Sequence, residues 1–235
     1  MKQTFTFFLL FISNFFTAYA QDNNGAVESG NGKILITVNG GFGYRIGKIA
    51  DEAEGVERQY LKNMKSGYTY EAGIFYMFNT RTGVGLKYNA FKSSESLPGV
   101  EVIAPNGEYG YSAVSDDLTI SFYGASVIHN LINGNGKHKA FLEAGVGYSH
   151  YNDDAFILGK YKITGGNITG TTSINYQYMI NNNFSVGPKL SVNWGTIGEL
   201  DVTGPNGYSA TARTDDDDTE SLYRLDIGVQ LMYRF

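Results

Sequence analysis

The 235-residue chain contains no cysteine, and this absence excludes several kinds of chemistry. A disulfide framework, a thiolate zinc site, a cysteine nucleophile and a lipid-modified cysteine all need a thiol. Charged residues make up only 17% of the chain, and proline occurs only four times. With 42% hydrophobic residues, 18 Tyr and 15 Phe, the chain is too apolar for intrinsic disorder. Its formal net charge of −5 argues against nucleic acid as a partner.

The chain also lacks a hydrophobic run long enough to cross a membrane as a helix. Its longest apolar stretch, residues 7–16, is short and is interrupted by Asn14. Lys2 before this stretch and Ala18-Tyr19-Ala20 after it predict a secretory signal peptide over residues 1–20. An N-terminal membrane anchor is the alternative interpretation. Because no later stretch could form a spanning helix, an exported chain that enters a membrane must do so as a β-barrel.

Eight segments of the chain alternate between apolar and polar residues with a period of two, which predicts eight β-strands. The segments cover residues 33–46, 68–78, 84–90, 118–128, 139–148, 167–178, 184–195 and 223–235. In the last of them, Leu225, Ile227 and Val229 alternate with Asp226 and Gly228. The fourth segment is less regular, because two bulky apolar residues fall on its polar side. These residues are Tyr123 and Val127.

The connections between these segments alternate strictly between long and short. The long ones cover roughly 47–67, 93–117, 152–166 and 198–221, and the short ones cover 79–83, 129–137 and 179–183. In an antiparallel meander this alternation places all long loops at one end and all short turns at the other. The sequence therefore predicts an all-β fold, a single eight-stranded antiparallel up-and-down transmembrane β-barrel.

The two faces of the predicted strands differ in size as well as polarity. The polar face carries most of the strand glycines, and small residues suit the narrow lumen of an eight-stranded barrel. It also carries charges of both signs that we expect to pair as a lumen network: Glu71, Lys87, Glu143, Lys189, Arg224 and Asp226. The bulky face would then meet lipid. The alternative is a soluble, lipocalin-like carrier with the charged face in water.

Aromatic residues on the bulky face concentrate near the ends of the segments. The aromatic residues at the barrel end that carries the long loops are Tyr44, Tyr68, Tyr70, Tyr88, Tyr148, Trp194 and Tyr223. Those at the barrel end that carries the short turns are Tyr76, Phe78, Tyr176, Tyr178, Phe184, Tyr233 and Phe235. Two such belts are typical of the two interfaces of a membrane. We therefore predict an aromatic girdle at each end of the barrel.

The predicted signal peptide, the eight strands, the loop pattern and the final Tyr233-Arg234-Phe235 together resemble small outer-membrane β-barrels of the OmpA/OmpX type, a porin-like family. The resemblance implies an integral outer-membrane barrel over residues 33–235, preceded by a periplasmic extension over residues 21–32. It also implies contact with outer-membrane lipid and lipopolysaccharide. The terminal aromatic residue resembles the signal that the barrel-assembly machinery reads during insertion.

Two long loops share a Pro-Asn-Gly turn signal, at residues 105–107 and 205–207. We expect the strands beside them to project past the membrane as two extended hairpins on opposite sides of the barrel. These hairpins could bind an extracellular ligand, or they could simply share favourable turn chemistry. The acidic run Asp215, Asp216, Asp217 and Asp218 is a weak candidate for metal binding, because it lacks the spacing of a calcium loop. Pro188, which cannot donate to a ladder, predicts a local bulge or bend.

Enzymatic chemistry has little support in the sequence. Some small outer-membrane barrels modify lipid A with His, Ser and acidic groups near the outer leaflet, and His150 beside Ser149 lies near that end. Adjacent residues of a strand point to opposite faces, so His150 could not easily activate Ser149. We expect a non-enzymatic barrel with a filled lumen and no cofactor, whose long extracellular loops have an interaction, adhesion or envelope-stabilising role. A narrow or gated channel is the main alternative, followed by the soluble carrier and the lipid A enzyme.

Overall fold

The computed structural model describes residues 34–47, 55–132, 136–213 and 220–235. The predicted signal peptide (1–20), the extension (21–32) and the acidic run 215–218 lie outside these ranges. In chain order the elements are β1 (Ile34–Arg45), α1 (Gly55–Asn63), β2 (Ser66–Met77), β3 (Thr82–Ile103), β4 (Tyr109–Asn130), β5 (His138–Ile157), β6 (Lys160–Met179), β7 (Phe184–Trp194), β8 (Thr196–Ile197), β9 (Glu199–Thr203), a 3-10 turn (Pro205–Gly207), β10 (Ser209–Arg213), β11 (Glu220–Ser221) and β12 (Arg224–Arg234).

Eight of these strands, β1 to β7 and β12, form the barrel that the sequence predicted. Each strand pairs antiparallel with its neighbour along the chain, and β12 pairs with both β7 and β1. The last pairing closes the sheet and leaves the barrel wall without a free edge. The prediction of an eight-stranded antiparallel barrel is confirmed.

The barrel strands have two different lengths. β3 and β4 have 22 residues each and β5 and β6 have 20, whereas β1, β2, β7 and β12 have 11 or 12. The long strands continue as hairpins beyond the end of the barrel where the long connections lie. The prediction that residues 152–166 form a loop is wrong, because β5 and β6 remain paired up to Phe156 and Lys160. Polar residues on both faces of this segment hide the period of two.

The projecting hairpins join one another instead of standing on opposite sides of the barrel. β9 pairs with β6 from Lys162 to Gly165, so the β9–β10 hairpin extends the same sheet as β3 to β6. Within this sheet the Tyr208 hydroxyl donates a hydrogen bond of 2.7 Å to the Pro105 carbonyl. The prediction of two separate hairpins is therefore wrong. The long β5–β6 hairpin lies between them and connects them.

The strand faces have the inverted polarity that the sequence predicted. On β12, Ile227 and Val229 are 63% and 56% exposed, whereas Glu71 and Lys189 are 3% and 2% exposed in the lumen. Small residues allow this packing: a Cβ on Gly43 would lie 2.5 Å from the Asp226 carboxylate. Bulky apolar side chains thus cover the outside of the barrel, and charged side chains fill the inside. No helix in the described part of the chain is long and apolar enough to span a membrane.

Pro188 lies within β7, where the sequence predicted an irregularity. The ladder between β6 and β7 is interrupted beside Pro188, but the register on either side is unchanged, so the predicted bulge is wrong. The strand loses ladder bonds at the proline without gaining a residue.

In the irregular fourth segment, Tyr123 and Val127 face outward, while Ile120 and Phe122 face the lumen.

Candidate functional site

Four of the predicted network residues form a closed ring of charge in the middle of the lumen. They come from four strands: Glu71 on β2, Lys87 on β3, Glu143 on β5 and Lys189 on β7. The Lys87 Nζ atom lies 3.0 Å from Glu71 and 2.9 Å from Glu143. The Lys189 Nζ atom lies 3.0 Å from Glu143 and also contacts Glu71. Each cation therefore bridges both anions, which offsets the free energy needed to bury four charges.

The remaining two network residues, Arg224 and Asp226, lie nearer the long-loop end of the lumen. The Arg224 guanidinium donates to the Asp226 carboxylate at 2.6 and 2.9 Å and also to the Asn89 side chain. The Asn193 amide donates to the same carboxylate at 2.7 Å. The guanidinium carbon lies 5.0 Å from the centre of the Phe91 ring. The six charges thus form two separate groups.

Apolar layers close the lumen on both sides of these polar groups. The layer at the short-turn end consists of Leu35, Phe75, Met77, Ile128, Phe141 and Met232. The layer at the long-loop end consists of Tyr60, Met64, Phe91, Leu118, Ile120, Tyr151, Ile197 and Leu222. Packed interiors of this kind contain few voids larger than a water molecule. The lumen is therefore occluded by apolar, charged and again apolar side chains in succession.

The helix α1 covers the long-loop end of the lumen. Its residue Tyr60 is 7% exposed and packs into the apolar layer at the long-loop end. The Tyr60 hydroxyl donates a hydrogen bond of 2.6 Å to the Asp116 carboxylate. Desolvation by burial raises the pKa of Asp116. The α1 helix lies in the first long connection, and sequence reasoning did not predict its role as a cap.

A second buried acid, Asp153, lies close to this cap. Burial, followed by the charge of Asp116, raises the pKa of Asp153 to about 7. Asp154 also raises this pKa, whereas the Tyr151 hydroxyl, which donates at 3.4 Å, and the Arg45 charge lower it. The Oδ1 atom of Asp153 is buried and has no hydrogen-bond partner in the described part of the chain. The cap therefore contains an acid that is easily protonated near neutral pH.

The outer surface changes from apolar to polar at one row of cross-strand neighbours. This row contains Tyr88, Tyr123, Tyr148 and Ile168 on β3 to β6. The next row toward the long-loop end contains Ala90, Ser121, His150 and Gly166. Rings within the aromatic row are in contact, since the centroids of Tyr88 and Tyr123 are 5.0 Å apart. The change in polarity marks the upper limit of the surface that hydrocarbon can cover.

The residues predicted for the two aromatic girdles are exposed or partly exposed on or directly beside the barrel strands. Eleven of the fourteen are strongly exposed: Tyr44, Tyr68, Tyr70, Tyr76, Phe78, Tyr148, Tyr176, Tyr178, Tyr223, Tyr233 and Phe235. Tyr88, Phe184 and Trp194 are partly covered by neighbours. Sequence reasoning did not assign Phe42 and Tyr123 to the girdle at the long-loop end, although both are exposed on the outer surface there. Their alternation with smaller outward residues could have revealed them.

Ser149 and His150 face opposite sides of β5, as predicted from their adjacency. The Ser149 hydroxyl is buried and lies 2.7 Å from the Thr169 hydroxyl, whereas His150 is exposed. The cross-strand neighbour of His150 is Ser121. No hydrogen bond between Ser121 and His150 is present in the described structure. The described residues also contain no cluster of three or more potential metal-ligating side chains.

The two apolar layers of the lumen are the feature that sequence reasoning missed. Several of their members, including Phe75, Phe141 and Met232, lie on the face that was classified as polar. All three sit at the short-turn end of their strands. Large apolar residues at matching ends of the polar face were the signal that could have revealed these layers.

The fold is similar to that of solved outer-membrane proteins. The structure of Neisserial surface protein A matches 88% of this chain and 100% of its own chain, with a TM-score of 0.53 and 10% identity. A major outer membrane protein from Thermus thermophilus matches 86% of this chain and 99% of its own, with a TM-score of 0.52 and 11% identity. No protein-family model matches the chain, and no curated protein matches it significantly. The chain thus has the fold of a small eight-stranded outer-membrane β-barrel.

Proposed function

We propose that this protein is a non-enzymatic, non-conducting integral outer-membrane barrel that presents a rigid surface of joined hairpins outside the cell. The observation that carries the proposal is the occlusion of the lumen by two apolar layers around buried charge networks. An ion in transit would have to break several buried ion pairs and then cross both apolar layers. Each of these steps is unfavourable.

The outer surface supports the membrane part of the proposal. On β12 the side chains of Ile227, Val229 and Leu231 are exposed. Contact of such apolar side chains with water is unfavourable, whereas contact with the hydrocarbon of a membrane is not. Aromatic residues bound this surface at both ends. A soluble carrier would have the opposite distribution, with its charged face in water.

The hairpins support the part of the proposal that concerns interaction. β3 to β6 extend well beyond the aromatic row, and the β9–β10 hairpin joins them in one sheet. A buried cluster inside this extension comprises Ala104, Ala155 and Tyr161. A projecting sheet with its own small core is ordered before it meets a partner, which lowers the entropic penalty of binding.

Planar-bilayer recording tests the proposal directly. Purified protein whose folded state is verified by heat-modifiable gel mobility should insert without producing conductance steps. A variant that opens both apolar layers, Phe75→Ala with Phe91→Ala, serves as the control for detection of a passage. Steady conductance by the unmodified protein would contradict the closed lumen and favour a narrow channel.

One observation favours the narrow channel as a second candidate. Between the charged ring and the lower apolar layer, the buried side chains of Asn175, Gln177 and Gln230 contain polar atoms without a partner in the described structure. Water could satisfy such atoms. The same recording decides between the two candidates, because a hydrated section of lumen conducts only if both apolar layers open.

The absence of enzymatic activity has its own test. Mass spectrometry of lipid A from cells that overexpress the protein should give the same profile as cells with an empty vector. A changed profile that disappears in His150→Ala would replace the proposal with a lipid-modifying function.

A further inference from the structure

The tip of the β3–β4 hairpin lies far beyond the membrane-facing surface. From Tyr123, in the last aromatic row, β4 continues to Tyr109, which corresponds to on the order of 40 Å of extended chain. The outward rows between these residues contain mostly small or polar side chains, such as Ser121 and Thr119. Lipid therefore does not account for apolar side chains at the tip.

Three large apolar side chains nevertheless share one face of this tip. Ile103 and Tyr109 are cross-strand partners. Tyr111, two residues after Tyr109 on the same face, is the cross-strand partner of Glu101. Ile103, Tyr109 and Tyr111 are 71%, 67% and 73% exposed, respectively. Cross-strand and i, i+2 neighbours on one face form a continuous patch. Contiguous exposed apolar patches in water are typical of binding surfaces.

A β-bulge aims these side chains outward. The register of β3 against β4 shifts between Leu97 and Val100, where Gly99 has a φ of +59°. Below the shift, Leu97 belongs to the inward-facing set, and above it Ala104 does. The extra residue thus moves Ile103 to the outer face beside the tyrosines. A Cβ on Gly99 would lie 2.6 Å from the Tyr111 hydroxyl, so the glycine also makes room for that side chain.

The patch is mounted on an ordered support. Ala104, the residue after Ile103, is 3% exposed in the cluster with Ala155 and Tyr161. The Pro105 carbonyl that follows accepts the hydrogen bond from Tyr208, which lies on the β9–β10 hairpin. A partner would therefore meet aromatic side chains that are already in position, which favours binding.

The charge around the patch indicates the chemistry of the partner. Residues 93–117 contain five acidic residues and no Lys, Arg or His. Three of the acids are exposed: Glu101, Glu108 and Asp117. Of the basic residues in the projecting sheet, Lys160 and Lys162 lie two strands away on β6, where Lys162 is the cross-strand neighbour of Asp154. Arg213 lies farther away on β10 and is paired with Glu199 at 3.1 Å. Guanidinium and ammonium groups bind carboxylates and also stack on tyrosine rings.

We infer that the β3–β4 tip is a docking surface for a basic polypeptide, with Ile103, Tyr109 and Tyr111 as anchors and Glu101 and Glu108 as the acidic rim. This inference deepens the interaction role proposed above and rests on it. An anionic lipid or glycan is disfavoured, because the carboxylates of the tip repel it.

The test uses the full-length protein in nanodiscs and a labelled peptide of alternating arginine and leucine as the probe. Fluorescence anisotropy should show binding that weakens with added salt. The double variant Tyr109→Ser with Tyr111→Ser should bind about tenfold more weakly, although it leaves the charge unchanged. Glu101→Gln with Glu108→Gln should bind more weakly and with a smaller dependence on salt. The matched control Glu57→Gln with Asp154→Asn removes the same charge elsewhere and should bind as the wild type does.

Either of two results would overturn the inference. One is equal binding by the wild type and the tyrosine variant, and the other is equal binding of a glutamate–leucine peptide by the wild type. Heat-modifiable mobility shows for each variant that the barrel is folded. Failure of the docking surface is distinguishable from failure of the proposed function, because bilayer recording of the same preparations reports on the lumen alone.

Discussion

At the scale of single residues, the charged ring shows how a narrow barrel tolerates four buried charges. Lys87 and Lys189 each bridge Glu71 and Glu143, so every charge has two partners of opposite sign. Buried ion pairs contribute little net stability when they are complete, but an unpaired member is strongly destabilising. The balance of charge within the ring therefore matters more than any single contact.

Removing one cation should destabilise the barrel markedly. In Lys189→Met, two carboxylates share Lys87 alone, and we expect the free energy of unfolding to fall by about 3–5 kcal/mol. Urea titration in lipid vesicles, followed by gel mobility, measures this change. The control Glu143→Gln with Lys189→Met restores neutrality and keeps the pair of Glu71 and Lys87, so it should recover most of the loss. A double variant as unstable as the single one would contradict the role assigned to charge balance.

At the scale of elements, α1 and the joined hairpins determine which surface the long-loop end of the barrel presents. The helix closes the lumen through Tyr60 and the apolar layer around it, and it lies over the buried acids Asp116 and Asp153. The hairpins of β3–β4, β5–β6 and β9–β10 form one sheet instead of separate loops. The long-loop end is therefore a folded structure in its own right.

The packing of this cap should depend on pH. The pKa of Asp153 is about 7 in the folded protein and 3.8 at its ordinary value, so the folded state binds the proton more tightly. The stability of the cap is then highest at acidic pH, declines as pH rises from about 4 to about 7, and is lowest above that range. Hydrogen exchange of the α1 amides, corrected for intrinsic rates, should show more opening at pH 8 than at pH 5. Asp153→Asn should reduce this difference to the smaller part that Asp116 contributes. A difference as large as that of the wild type would disprove the assignment.

The contact between hairpin tips is a second test at this scale. Tyr208→Phe removes the hydrogen bond to the Pro105 carbonyl, so the amides of Ala104 and Gly107 should exchange faster with solvent. The control Tyr109→Phe removes a hydroxyl from the same hairpin tip without affecting that hydrogen bond. It should leave the exchange rates of the Ala104 and Gly107 amides unchanged. Identical rates in both variants would show that the hydrogen bond does not order the tip.

Sequence reasoning at this scale succeeded where one face was clearly apolar and failed where the environment of the strand changed. The strands β1, β2 and β12 follow the period of two over their whole length, because lipid lies on one side of them. Above the membrane, water lies on one side and the joined hairpins on the other, so residues 152–166 show no such pattern. The meeting of Tyr208 with Pro105 depends on the pairing of β9 with β6, which local sequence does not encode.

At the scale of the whole molecule, the order of layers explains why this barrel is closed. The charged ring was predictable, since opposite charges on the small face have nowhere else to pair. The apolar layers were not predicted, because Phe75 and Phe91 lie on a face that alternation alone labels as polar. Their position at the two ends of the lumen becomes clear only when the strand registers are known.

The central claim is that apolar side chains face lipid while a closed, polar lumen lies behind them. Because the chain contains no cysteine, single cysteines report on individual sites without background. A fluorophore on Val229→Cys in vesicles should be quenched by lipids brominated on their acyl chains, whereas Ser191→Cys, at a site 3% exposed in the lumen, should resist a water-soluble thiol reagent. Rapid labelling of Ser191→Cys together with an unquenched fluorophore at position 229 would contradict the account and indicate a soluble barrel.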